Sequence, residues 1–160
     1  MKKIVLVFVL ALMTSSMWAA EIYSKVTAQT VYNLMLREGY NVSLDKDADI
    51  MWKKDGIKMY IFFDDGKVPQ SNIQFHCGYK VKDDDENFAE ALILSNNFNS
   101  KYRFVRSYVK RNENDDESFS VMIKLDLSLS GGITKNRMSD FFEQCLSLCK
   151  AWKEEVVDKL

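Results

Sequence analysis

The chain has 160 residues with 22 Lys and Arg against 23 Asp and Glu, a formal net charge of −1. That length suits one domain, and the near-neutral, slightly acidic balance lacks the concentrated basic face that nucleic-acid binding needs. Three cysteines are too few for a fold held together by disulfides, so stability has to come from a hydrophobic core.

The first segment, MKKIVLVFVLALMTSSMWAA, places Lys2 and Lys3 before an apolar run from Ile4 to Met13 and ends in Ala19-Ala20. This is the pattern of a secretory signal peptide, and the apolar run falls short of the ~20 residues that a membrane-spanning helix needs. Residues 1–20 are therefore expected to be removed on export to the periplasm or medium, leaving residues 21–160 as a single domain with no transmembrane segment. The signal takes two lysines and no acid with it, so the mature domain is more acidic than the whole chain.

Thr27 to Glu38 carries Val31, Leu34 and Met35 at helical spacing and is followed by Gly39, which predicts a first helix with a left-handed terminus. Tyr40–Leu44 and Ile50–Lys53 read as short strands around an Asp45–Asp47 turn. Lys54-Asp55-Gly56 reads as a hairpin turn leading into a third strand, Ile57–Phe63. Asp64-Asp65-Gly66 ends that strand, and Pro69 falls in the loop before a fourth, in which Ile73, Phe75, Cys77 and Tyr79 alternate with Gln74, His76, Gly78 and Lys80.

Carboxylates from Asp83 to Glu86 precede a predicted second helix, Asn87 to Asn97, with Phe88, Ala91, Leu92 and Ser95 as its inner stripe. A fifth strand is predicted over Tyr102–Lys110 and a polar hairpin loop over Asn112–Glu117. The clearest element follows: Phe119, Val121, Ile123, Leu125, Leu127 and Leu129 alternate with polar or mixed residues, a period of two with one dry face. Gly131-Gly132 ends it, and Thr134 is placed to cap a last helix from Lys135 to about Asp158. That helix carries Met138, Phe141, Phe142, Cys145, Cys149, Trp152 and Val156 as one apolar stripe. The expected fold is α+β, an antiparallel sheet of five to six strands with three helices in the order α-ββββ-α-ββ-α.

Residues that might carry chemistry have plainer readings. His76 is the sole histidine and lies on the opposite side of its strand from Cys77, so the pair cannot form a dyad. Cys145 and Cys149 sit inside an apolar stripe rather than at the helix N-terminus that activates a thiolate. Asp45, Asp47 and Asp49 imitate a calcium loop, but Ile50 and Gly56 occupy the places of its glycine and its bidentate glutamate. No catalytic, metal or cofactor site is assigned. Cys77 faces the core side, which leaves open a bridge to Cys145 or to Cys149.

The outer face of the sheet is the candidate contact surface. Tyr60, Phe62, Val105, Val109 and Met122 are expected there, interleaved with Arg103 and Lys124, a mixed apolar and basic face suited to a protein or peptide partner or to a second copy of the chain. The alternative is that the first helix or a loop covers this face as a second small core.

The segment LMLREGY at Leu34–Tyr40, the Asp55-Gly56 hairpin, and NFNSKYRFVRSYV followed by MIKLDLSLSGGIT within Asn97–Thr134 together resemble the YbjN family. The resemblance covers about Thr27 to Trp152, with Phe98 where a Trp is usual. It implies a fold like that of type III secretion chaperones and a role in sensory transduction regulation, and it brings no active site. On the residues and the resemblance together, the expected function is non-enzymatic binding of a protein or peptide. The rival is a small-molecule or envelope-stress sensor with its pocket between the last helix and the sheet.

Overall fold

The structure, a computed structural model, describes residues 22–63, 70–112 and 115–160. The expected signal peptide, the loop containing Asp64-Asp65-Gly66 and Pro69, and residues 113–114 lie outside these.

Local signals set the first elements. After a two-residue strand β1 (Ile22–Tyr23), Thr27 caps α1 (Ala28–Arg37) through a reciprocal box: its hydroxyl accepts from the Thr30 N–H at 3.2 Å, and the Thr30 hydroxyl accepts from the Thr27 N–H at 3.3 Å. Gly39, at φ +83°, ends the helix. There the Tyr40 N–H donates to the Met35 carbonyl and the Gly39 N–H to that of Leu36, which satisfies carbonyls that would otherwise be orphaned. β2 (Val42–Leu44) and β3 (Ile50–Lys54) follow. The Asp45 carboxylate between them accepts from the backbone N–H groups of Asp47 at 2.9 Å and Asp49 at 3.0 Å, so its side chain shapes a turn. Asp55 at φ +51° and Gly56 at +79° then make the tight turn into β4 (Ile57–Phe63).

β5 (Asn72–Lys82) leads to α2 (Asp85–Lys101), capped by Asp84, whose carboxylate accepts from the Asn87 N–H at 2.8 Å. β6 (Val105–Asn112), β7 (Asp115–Ser128), β8 (Ile133–Thr134) and α3 (Lys135–Glu155) complete the chain, with a final 3₁₀ turn over Val157–Lys159. β2 to β7 form a six-stranded sheet in the order β2-β3-β4-β5-β7-β6, every pair antiparallel. The α+β class, the three helices and the element order are as expected.

The differences are local. β1 and β8 form a separate two-stranded pair that sequence pattern is too short to reveal. α2 runs further at both ends than Asn87–Asn97. Its buried residues are Ala91, Ser95 and Phe98, while Leu92, expected inside, is exposed. The loop expected over Asn112–Glu117 is shorter, because β7 already begins at Asp115.

One core cluster lies between one sheet face and all three helices. α1 contributes Val31, Leu34 and Met35, α2 Ala91 and Phe98, and α3 Phe141, Phe142, Cys145, Cys149 and Trp152, against Trp52, Ile61, Phe75, Val121, Ile123 and Leu125 of the strands. A polar knot crosses its edge. The buried Ser107 hydroxyl accepts from the Trp152 indole N–H at 2.9 Å and donates to Ser95 Oγ at 2.9 Å. The Asn99 side chain accepts from the Ser107 N–H at 2.7 Å and donates to its carbonyl at 2.8 Å, so α2 covers backbone groups on the free edge of β6. α2, β6 and α3 are thus joined through one serine.

Replacing Trp152 by Phe keeps an aromatic ring there but removes a buried donor to Ser107. The expected cost is about 1–3 kcal/mol in urea unfolding, with an unchanged denaturant slope. A loss within error would show that the knot contributes nothing to stability.

Candidate functional site

The antiparallel register fixes which side chains share the face away from the helices. Tyr60 pairs with His76, His76 with Lys124, and Lys124 with Arg106; Gly78 pairs with Met122 and Met122 with Tyr108; Lys80 pairs with Ser120 and Ser120 with Lys110. Cross-strand partners point the same way, so these residues form parallel rows on one surface. α1 buries its stripe in the main core, so it does not cover this face.

Four of the seven expected surface residues come together here. Tyr60 and Phe62 stack with ring centroids 5.8 Å apart and planes 3° from parallel. Both, with Met122, His76 and Gly78, line a notch of about 270 Å³, and Lys124 lies opposite His76 in the sheet. Lys58 Nζ sits 5.1 Å from the Tyr60 ring centroid, and Phe62 meets the His76 ring edge-on at 4.7 Å.

The other three do not belong. Val105 pairs with Leu125 and Val109 with Val121, so both face the helix side and pack against the core. Arg103 precedes β6 in an exposed bend. The phase of β6 is opposite to the expected one because Ser107, polar in type, holds a buried position through its hydrogen bonds, whereas Tyr108 takes the open side. Gly78 falls on the polar side of its strand in the sequence without being singled out; for Tyr108 and Arg106 the one signal is parity carried across from β7.

Gly78 makes the notch. A Cβ there would lie 3.3 Å from Met122 Cγ and 3.5 Å from the Val121 carbonyl oxygen. Its backbone has no positive φ, so what a side chain there would meet is crowding against Met122 rather than backbone strain.

His76 is half-buried, and its Nε2 lies 3.3 Å from Gln74 Oε1. Desolvation and then the Lys124 ammonium push its pKa below the ordinary 6.5, with Asp126 opposing. The imidazole is therefore neutral at pH 7.

The thiols lie on the other side of the sheet. Cys77, Cys145 and Cys149 are free and buried. The Cys77 thiol beside Cys149, and then burial, push the Cys149 pKa far up; burial does the same to Cys145. Thiolate chemistry needs a shift in the opposite direction. Burial also pushes the nearby Tyr79 phenol up to about 12. Where the rival reading expects a pocket, between α3 and the sheet, there is a hollow of about 260 Å³ lined by Leu125, Asp126, Leu127, Arg137, Phe141 and Gln144. Phe104, 87% exposed and held at φ +63°, stands at its rim. Among the described residues, no helix is long and apolar enough to cross a membrane.

A family model described as "YbjN: Putative bacterial sensory transduction regulator" matches residues 27–157. The chain belongs to the YbjN family. Among solved structures, the chain is similar to YbjN from E. coli, described as "a putative transcription regulator", with 13% identity, a TM-score of 0.63, and coverage of 77% of this chain and 85% of that one. An uncharacterized protein from Methanothermobacter thermautotrophicus aligns at 16% identity and a TM-score of 0.49, covering 83% of this chain and 99% of that one. No curated protein matches the chain.

Because the folded imidazole binds its proton more weakly than the unfolded one, stability is full above pH 6.5 and falls as the pH drops from there towards the lowered folded pKa. Tyr60, Lys124, Asp126 and Arg106 share its row or lie beside it. The melting temperature is expected to drop between pH 7 and pH 5.5, and His76→Gln should remove part of that drop; identical profiles for the two proteins would contradict the assignment.

Proposed function

We propose that this chain is a non-enzymatic binding module of the YbjN type, exported to the periplasm or medium, that engages a protein or peptide partner or a second copy of itself. The supporting observation is that the three described helices pack on one side of the sheet, while the other keeps a stacked Tyr60–Phe62 pair and a notch over Gly78 partly open. Partly exposed aromatic residues with an adaptable methionine beside them supply contact area at small entropic cost, and a cationic border orients a partner. The family's description as a sensory transduction regulator fits a domain that acts by association. The export component rests on the N-terminal pattern of Lys2 and Lys3, the apolar run and Ala19-Ala20.

A second reading, sensing of a small molecule, draws support from the hollow between α3 and β7, where Arg137 and Gln144 stand beside Phe141. The open face, with its stacked Tyr60–Phe62 pair beside the notch, is the preferred site.

Substituting Tyr60, Phe62 and Met122 together by Ser is expected to abolish self-association in sedimentation equilibrium, or partner recovery from periplasmic extract, while the far-UV spectrum stays native. An unchanged oligomeric state together with an unchanged recovery profile would remove the surface from consideration.

A further inference from the structure

The ladder between β6 and β7 ends before β7 does. Its last pair on that side is Val105↔Leu125, while β7 continues to Ser128. Ser107 commits its N–H and carbonyl to the Asn99 side chain, away from β7, so Ser107↔Ile123 is a pair that exchanges no backbone bonds. Alternation then turns the backbone groups of Lys124, and of Asp126 two residues on, towards β6. The residue due opposite Asp126 is Phe104, which its φ of +63° takes out of the strand. Among the described residues, no backbone hydrogen bond joins the two. The N–H and carbonyl of Asp126 thus face the hollow beside α3, whereas its side chain alternates to the open face, 3.7 Å from Arg106.

We propose that this hollow binds a free apolar α-amino acid, which takes the place of the missing strand partner. Its carboxylate accepts from the Asp126 N–H and from Arg137 and Gln144, its ammonium donates to the Asp126 carbonyl, and its side chain lies between Leu125, Leu127, Phe141 and Phe104. The inference rests on the second reading above, small-molecule sensing at this hollow, and names the ligand class.

Four observations select this ligand. In a bonded antiparallel pair each residue satisfies the other through its own N–H and carbonyl, and an α-amino acid carries the same nitrogen, α-carbon and carboxyl unit. Arg137 and Gln144, on one face of α3, line the hollow, and among the described residues neither side chain has an ion-pair or hydrogen-bond partner. Leu125, Leu127 and Phe141 are buried and give the hollow apolar walls, while Phe104 at the rim is 87% exposed in a backbone conformation costly to a non-glycine residue, with no burial of its ring to offset the strain. The volume, about 260 Å³, is below the roughly 300–1,000 Å³ of sites for drug-sized molecules, so it suits a ligand of amino-acid size.

The test is to titrate the isotope-labelled protein with L-leucine and L-phenylalanine and follow the Asp126 backbone amide and the Gln144 side-chain amide by NMR. Both signals are expected to shift and saturate. Leucinamide, which lacks the carboxylate, and 4-methylpentanoate, which lacks the amine, should each bind at least about tenfold more weakly. Arg137→Gln and Phe104→Ala should each weaken leucine binding by about tenfold or more, whereas Leu92→Ser on α2 should leave it unchanged. Equal binding of 4-methylpentanoate and leucine would overturn the amino-acid proposal and leave the hollow standing as a small-molecule site. Leucine shifts indifferent to both substitutions at the hollow would overturn the placement of the ligand there. If neither leucine nor phenylalanine moved these signals the proposal would fall, and if a fragment library of neutral, cationic and anionic molecules also left them unmoved the small-molecule reading would fall with it.

Discussion

The strict alternation of β7 is the constraint on which the rest of the molecule depends. This strand is bonded on both sides, to β5 from Asn72↔Ser128 through Lys82↔Ser118 and to β6 from Val105↔Leu125 to Arg111↔Phe119. A slip of one residue would turn Phe119, Val121, Ile123, Leu125 and Leu127 out to water, so the hydrophobic pattern permits one register. The phase of β7 then sets the phase of its neighbours. Once its dry face is chosen, α3 has one place to bury Phe142, Cys145, Cys149 and Trp152, and α1 and α2 close the same layer.

That asymmetry gives the protein two unlike surfaces. The helix side is filled and tied at Ser107, where one hydroxyl bonds to both Ser95 and Trp152. No described helix packs on the other side. Lys58, Lys124 and Arg106 hold charge there, Tyr60 and Phe62 hold aromatic area, and Gly78 holds open a place in the middle. A glycine in the middle of a paired strand weakens it, so its presence without any conformational need is consistent with a site kept clear for another group.

Much of the fold was legible because its signals are local. Thr134 caps α3 where the spacing places it, Gly39 ends α1, and Asp55-Gly56 turns the β3–β4 hairpin; Thr27, read as the first residue of the helix, is its cap. The open face was legible in part: Tyr60, Phe62, Met122 and Lys124 lie on long, strongly patterned strands. Val105 and Val109 lie on the face opposite to the expected one, because burial of Ser107 by hydrogen bonds breaks the rule that polar residues face water. Leu92 neighbours the stripe in sequence but is exposed, because the buried line of α2 runs through Ala91, Ser95 and Phe98 at steps of four and three residues.

The most direct measurement is thiol reactivity at neighbouring positions of β7. The native cysteines are buried, so a single new cysteine reports alone under native conditions. The account predicts that Met122→Cys and Lys124→Cys react readily with Ellman's reagent in the folded protein, while Val121→Cys and Ile123→Cys react only after denaturation. Equal reactivity at adjacent positions, or protection of residues 122 and 124, would contradict it.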